Sequence, residues 1–247
     1  MWFEEGGSEG PILVLLHGLG ATGEVWRGLI AVLRREWAGP WMVLDLAGHR
    51  RSAWCAPYSF GQHAADVAVL AGGAGPLVAL GHSMGGVVAL ALAGGLFGVD
   101  VIAAIGIGIK VVWTPEELAW ASALATRPIK WFEDGAEAEA FFLRVSGLEG
   151  LATPGGELAA SGVVAEGGRY RLAADPAGAL VGAPPMASLM AAASAPVHLA
   201  CGTRDHLTSV EQLRRFDPGA TELPGLGHNA HVEDPERTWG FVAQTLG

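Results

Sequence analysis

Cysteine is almost absent from this chain. Two thiols, Cys55 and Cys201, in 247 residues cannot make a disulfide framework, so the fold has to hold by its core. Charge is sparse as well: Asp, Glu, Lys and Arg make up 16% of residues, and 15 basic side chains face 25 acidic ones. The net charge of -10 repels nucleic acid and anionic membrane surfaces, which excludes both as expected partners. Basic residues come in nothing longer than the pairs Arg34-Arg35, Arg50-Arg51 and Arg214-Arg215. The opening Met1-Trp2-Phe3-Glu4-Glu5 has no basic n-region and no apolar h-region, so a cytoplasmic location is the expectation. No histidines or cysteines fall at metal-ligand spacing, and no metal or organic cofactor is expected. The apolar stretch from Leu77 to Ile109 is no membrane span. His82, Ser83, Asp100 and several glycines interrupt it, and it reads as strand, helix, strand in a buried parallel sheet.

What is present is a core. Hydrophobic residues make up 51% of the chain, enough for one α/β domain carrying an insertion. Ile12 to Leu16 reads as a buried strand running into the glycine loop His17-Gly18-Leu19-Gly20. Gly23 to Trp37 carries apolar residues at helical spacing. Trp41 to Leu44, Leu77 to Leu80 and Val101 to Ile107 read as further strands, with helices over Gln62 to Ala71 and Met84 to Leu96. The alternation stops between about Trp113 and Ala195, where helix formers, glycine and proline replace it and no strong strand is readable. Thr114-Pro115 starts a helix over Glu116 to Thr126, and Glu133 to Val145 reads as another. Strand-helix alternation resumes at Val197 to Ala200 and runs through a strand near Ala220 to Leu223 to a last helix from Pro235. Two alternating halves around an insertion predict a mostly parallel twisted sheet with helices on both faces. The predicted division is a core of residues 1–112 and 196–247, with residues 113–195 as a helical cap.

In such sheets, function collects at the carboxyl ends of strands. Gly81-His82-Ser83-Met84-Gly85 matches G-x-S-x-G, and it sits where that pattern has meaning, between an apolar strand and a helix. A serine on so tight a turn leaves no room for side chains two positions away, hence Gly81 and Gly85. The helix that follows aims its free amides and its dipole at developing negative charge. A serine hydroxyl needs a base, and the base needs an orienting carboxylate. Of eight histidines, His228 lies in the glycine loop Leu226-Gly227-His228-Asn229 after the last strand. His17 and His82 flank the two glycine motifs and are expected to hold loops together. Asp205 directly follows a strand in Gly202-Thr203-Arg204-Asp205. Its rivals are weaker: Asp45 is placed to organise a loop, and Asp100 precedes its strand and so lies at the wrong end of the sheet. Along the chain the three fall in the order Ser83, Asp205, His228.

These motifs together resemble the α/β-hydrolase superfamily, in its compact serine-nucleophile branch with a helical cap. The resemblance covers Pro11 to Ile109 and Ala195 to Gly247. It implies the α/β-hydrolase fold, the catalytic triad Ser83, Asp205 and His228, and an oxyanion hole formed by the backbone N–H groups of Leu19 and Met84. Asp45-Leu46-Ala47-Gly48-His49-Arg50-Arg51-Ser52 resembles the family loop D-x-P-G-x-G-x-S, with Ala47 in place of proline and Arg50 in place of glycine. Serine at the nucleophile position argues against dehalogenases and epoxide hydrolases that use a carboxylate there.

The expected activity is hydrolysis of a carboxylic ester through an acyl-serine intermediate, the partner being a neutral small-molecule ester of short to medium length. The aromatic cap residues Trp113, Trp120, Trp131, Phe132, Phe141 and Phe142 are expected mainly to pack the cap, with one or two lining an acyl pocket. Glycines at 147, 150, 155–156 and 167–168 are expected as joints that permit cap movement. A lactonase, a thioesterase, a carbon–carbon bond hydrolase or a cofactor-free perhydrolase would use the same triad. A non-catalytic small-molecule receptor is the alternative from a different class.

Overall fold

Each apolar run becomes a strand whose alternate side chains enter opposite layers. The computed structural model describes residues 1–73 and 75–247. Its strands are β1 (Trp2–Gly6), β2 (Ile12–Leu16), β3 (Trp41–Asp45), β4 (Leu77–His82), β5 (Val101–Ile107), β6 (Val163–Glu166), β7 (Arg169–Leu172), β8 (Val197–Gly202) and β9 (Thr221–Leu223). Seven of them form one sheet in the order β1-β3-β2-β4-β5-β8-β9. Only β1 runs antiparallel, pairing Trp2 with Asp45 and Gly6 with Trp41. The helices are α1 (Arg27–Glu36), α2 (Phe60–Ala71), α3 (Met84–Ala93), α4 (Pro115–Ala125), α5 (Gly135–Val145), α6 (Glu157–Ser161), α7 (Met186–Ala192), α8 (Val210–Leu213), α9 (Ala230–Glu233) and α10 (Pro235–Leu246). Among the described residues no helix is long and apolar enough to cross a membrane.

The period-two rule of strands divides the core between the two faces of the sheet. Leu13, Leu15, Val43, Val78, Leu80, Ile105 and Ile107 pack on one side with Leu29, Leu33, Phe241 and Val242 of α1 and α10. Ile12, Val14, Leu16, Leu44, Leu77 and Ala79 pack on the other with Ala64, Val67, Val88 and Leu92 of α2 and α3. Strands buried on both faces read as unbroken apolar runs, which is why β2, β3 and β4 were legible.

Several elements depart from the sequence reading. Strand β1 was not expected. The helix predicted from Met84 to Leu96 ends at Ala93, because Gly94 caps it and Gly95 takes a φ of 72°, a left-handed position that suits glycine. The helix predicted over Gly23 to Trp37 begins as a 3-10 turn, Gly23–Trp26, before α1. The segment in which no strong strand was readable holds the hairpin β6–β7. Its turn is Gly167-Gly168, with φ values of 59° and 80°, the geometry that tight hairpins require. Those two glycines are therefore a turn and not a joint.

The 113–195 segment leaves after β5 and returns at β8, so it emerges at the carboxyl edge of the sheet. It is stitched to the rest of the chain at several points. Asn229 donates through Nδ2 to the carbonyls of Ser146 (3.3 Å) and Gly147 (2.9 Å). The hydroxyls of Thr22 and Ser161 meet at 2.7 Å. Arg50 N–H donates to Ala173 O, Asp175 N–H to Gly48 O, and Tyr58 Oη to Asp175 Oδ2. Gly147, expected as a joint, is one of the pinned positions.

Candidate active site

The turn between β4 and α3 forces Ser83 into φ 50°, ψ -114°, a strained conformation for a residue with a Cβ. The surroundings hold it there. Ser83 N–H donates to Ile107 O at 2.8 Å, and the Ser83 carbonyl accepts from Gly86 and Val87. A Cβ on Gly81 would lie 2.1 Å from the Gly85 backbone, and one on Gly85 would lie 2.2 Å from Leu16 O. Backbone on both sides cannot give way, so both positions need glycine for space.

A pair of alanine substitutions tests this. Gly85→Ala should prevent folding or cost more than about 3 kcal/mol, the scale of severe overpacking against backbone. Gly240→Ala in α10, where a Cβ would meet nothing within 4 Å, should instead stabilise by about 0.5–1 kcal/mol. Thermal melts decide it; a soluble Gly85→Ala with the parent melting temperature would refute the packing argument.

Asp205 and His228 come from loops that are bonded to each other. A Cβ on Gly202, at the end of β8, would lie 2.1 Å from Leu226 O, and Arg204 N–H donates to the same carbonyl at 2.8 Å. His228 Nδ1–H donates to Asp205 Oδ2 at 3.0 Å, while Asp205 Oδ1 accepts from Leu207 N–H at 2.8 Å. Both carboxylate oxygens are thus engaged, and the Asp205 side chain is fully buried. Gly227 N–H donates to the Glu233 carboxylate at 2.9 Å, and Arg204 pairs with that carboxylate at 3.2 Å. His82 Nε2–H donates to the His228 carbonyl at 2.9 Å. That bond ties the residue before Ser83 to the loop carrying His228, with the two rings edge-on at 4.6 Å.

Ser83, Asp205 and His228 therefore share one edge of the sheet. Asp45 does what was expected of it: it accepts from Gly23 N–H at 2.8 Å and from Arg51 Nε at 2.7 Å. Asp100 offers its backbone carbonyl to Leu77 N–H at the opposite edge. Leu19 sits beside the elbow, because a Cβ on neighbouring Gly18 would lie 3.3 Å from Ser83 Cβ. Among the described residues no protein acceptor takes the Leu19 or Met84 N–H from outside a helix, and a first-turn amide has no partner inside one. Neither donor has a protein acceptor among the described residues. Two surface cavities, of about 250 and about 240 Å³, lie elsewhere; neither is lined by Ser83, Asp205 or His228.

Arg50, standing where glycine was expected, takes φ 46°. A conformation costing an arginine about 1 kcal/mol is held by Nη1 donating to buried Glu24 at 2.6 Å. Two neighbours of the site escaped the sequence reading. Gly108 has φ 66°, and a Cβ there would lie 3.3 Å from both Asp205 Oδ2 and His228 Cε1. His49 is buried, and its Nε2 accepts from Gly20 N–H. No single-residue signal distinguishes either; each is defined by partners distant in sequence.

Residues 13–240 match the sequence model of the Alpha/beta hydrolase family. Lipase LipV of Mycobacterium tuberculosis (strain ATCC 25618 / H37Rv) is 40% identical over 90 residues, which are 35% of this chain and 33% of that protein. The magnesium-chelatase 30 kDa subunit of Rhodobacter capsulatus is 39% identical over 94 residues, 36% of this chain and 32% of that protein. The matches thus span about a third of these curated relatives. The thioesterase domain from the curacin biosynthetic pathway superposes with a TM-score of 0.76 at 19% identity, covering 98% of this chain and 94% of that one, a likeness of fold.

Proposed function

We propose that this chain, which belongs to the Alpha/beta hydrolase family, is a serine hydrolase that cleaves carboxylic esters through an acyl-serine intermediate. The observation that carries the reading is the strained Ser83 at the start of α3, sharing a sheet edge with the buried Asp205–His228 pair at 3.0 Å. In this reading Ser83 Oγ attacks the ester carbonyl and His228 Nε2 takes its proton. The tetrahedral oxyanion is stabilised by the N–H groups of Leu19 and Met84, donors whose individual removal typically costs ~3–4 kcal/mol. His228 then returns the proton to the leaving alkoxide, activates water, and the acid departs. Asp205 holds the Nδ1–H tautomer throughout. No metal or organic cofactor enters these steps.

The division into a core of residues 1–112 and 196–247 and a cap of residues 113–195 belongs to this proposal. The cap would roof the site. The 3-10 turn Pro176–Val181 reaches the oxyanion loop: a Cβ on Gly178 would lie 3.2 Å from Leu19 Cδ1. With Leu180 and Leu19 both exposed, this contact would offer apolar surface to a neutral acyl chain. Free thiols at Cys55 and Cys201 suit a cytoplasmic enzyme.

A panel of p-nitrophenyl esters of rising acyl length, run beside a lactone, a thioester and a dienoic acid, tests the reading. Short to medium esters should give the highest kcat/KM. A clear preference for the thioester would move the assignment to a thioesterase, and binding without turnover would move it to a receptor.

A further inference from the structure

The two loops at the carboxyl ends of β2 and β3 are clasped by a reciprocal pair of histidines. His17 Nε2 accepts the Leu46 N–H at 3.0 Å, and its Nδ1 lies 2.8 Å from Gly18 O. His49 returns the arrangement: its Nε2 accepts the Gly20 N–H at 3.1 Å, and its Nδ1 lies 3.0 Å from Ala47 O. In each ring the carbonyl beside Nδ1 can only accept and the amide facing Nε2 can only donate, so each is the neutral Nδ1–H tautomer. The rings meet edge-on at 4.8 Å, and both residues are buried. Burial holds both below the ordinary histidine range, which keeps each Nε2 an acceptor.

Gly18 to Ala21 forms a tight turn closed by Ala21 N–H to Gly18 O at 3.2 Å, with φ 76° at Gly20. Leu19 is not among the residues with positive φ, so the turn is of type II. The Gly20 N–H bond to His49 Nε2 anchors this turn to the loop after β3.

We propose that His49 is a positioning residue for the oxyanion-binding backbone: by accepting the Gly20 N–H it anchors the Gly18–Ala21 turn to the loop after β3 and so holds the Leu19 N–H, carried by the same turn, beside Ser83. This rests on the reading of Leu19 as an oxyanion donor. A donor set in advance contributes to the transition state because it need not reorganise as charge develops. His49 touches neither substrate nor Ser83 and acts through the turn alone.

The closing experiment compares His49→Leu and His49→Gln with the parent. His49→Leu should lower kcat by about 10- to 100-fold with KM changed by less than about threefold, the pattern of an interaction made only in the transition state. Affinity for a trifluoromethyl ketone, which forms a tetrahedral adduct on the serine, should fall in step with kcat. Glutamine, which can offer an acceptor near the Nε2 position, should recover most of both. A merely structural histidine would change the melting temperature and leave these ratios alone. A folded His49→Leu with parental kcat overturns the proposal. If that variant does not fold, long-range proton–nitrogen correlation on the parent protein decides: an Nδ1–H ring with coupling from Nε2 to the Gly20 amide supports it, and an Nε2–H ring overturns it. A parent chain that neither turns over esters nor accepts a fluorophosphonate on Ser83 removes the hydrolase reading and this inference together. Parental turnover unaffected by His49→Leu removes this inference alone.

Discussion

Ser83→Ala is expected to lower kcat by roughly four to six orders of magnitude and to leave the fold intact. Alanine keeps the Cβ that Ser83 already carries at φ 50°, so it adds no strain, and the melting temperature should stay within about 2 °C. His228→Ala should cost about as much as the serine change. The double variant should be no slower than either single one, because nucleophile and base act as a unit. A fluorophosphonate should add once to the parent protein, on Ser83, and not at all to Ser83→Ala. Labelling at another serine, or a variant retaining more than about one per cent of the rate, is incompatible with the assignment at the level of rate loss expected for such a group.

The second large effect is on stability. Five histidines are buried in a neutral state: His17, His49, His63, His82 and His231. Burial is the foremost cause in each, pushing His63 down to about 4 and His231 down to about 3, and lowering the other three as well. Released by unfolding, each would titrate near about 6.5. Between that value and its folded one, a histidine is protonated in the unfolded chain and neutral in the native one. Its contribution is therefore fully present above about pH 6.5 and falls as pH drops, at about 1.4 kcal/mol per pH unit per residue. His63 and His231 alone would remove roughly 5–7 kcal/mol by pH 4, comparable with the whole stability of many domains, about 5–15 kcal/mol. Circular dichroism should show cooperative acid unfolding well above the carboxylate range. Melting temperatures should fall with steepening slope below pH 6.5. A melting temperature flat down to pH 4 would contradict the picture.

The parts of this molecule legible in the sequence are those where one physical cause dominates. Strands β2, β3 and β4 are buried on both faces, so their apolar runs are unambiguous. The Ser83 elbow was legible because its glycines are required by space that backbone already fills. The edge strand β1 was not, because Glu4 and Glu5 mask a period-two pattern that has only one strand beside it. The hairpin β6–β7 carries a genuine signal in Gly167-Gly168, but its residues are half-exposed and lack an apolar stripe. Roles that depend on distant partners, such as His49 on Gly20 or Asn229 on Gly147, leave no local pattern. In the segment between β5 and β8 the helices α4 and α5 were legible from their caps and spacing, while the hairpin was missed.

The position of that segment also bears on how the chain comes together. Ser83 and the loop carrying Leu19 lie on one side of it in sequence, and Asp205 and His228 lie on the other. Strand β8 pairs with β5 only after the excursion from Ile107 to Val197 has closed, and closure entropy rises with the length of chain spanned. The earlier strands meet across shorter connections, so low contact order favours them first. The elbow can then take shape on β4 while His228 and Asp205 are still unfolded. Reactivity at Ser83 becomes a late reporter in refolding, appearing when β8 and β9 dock and not when the bulk of secondary structure forms.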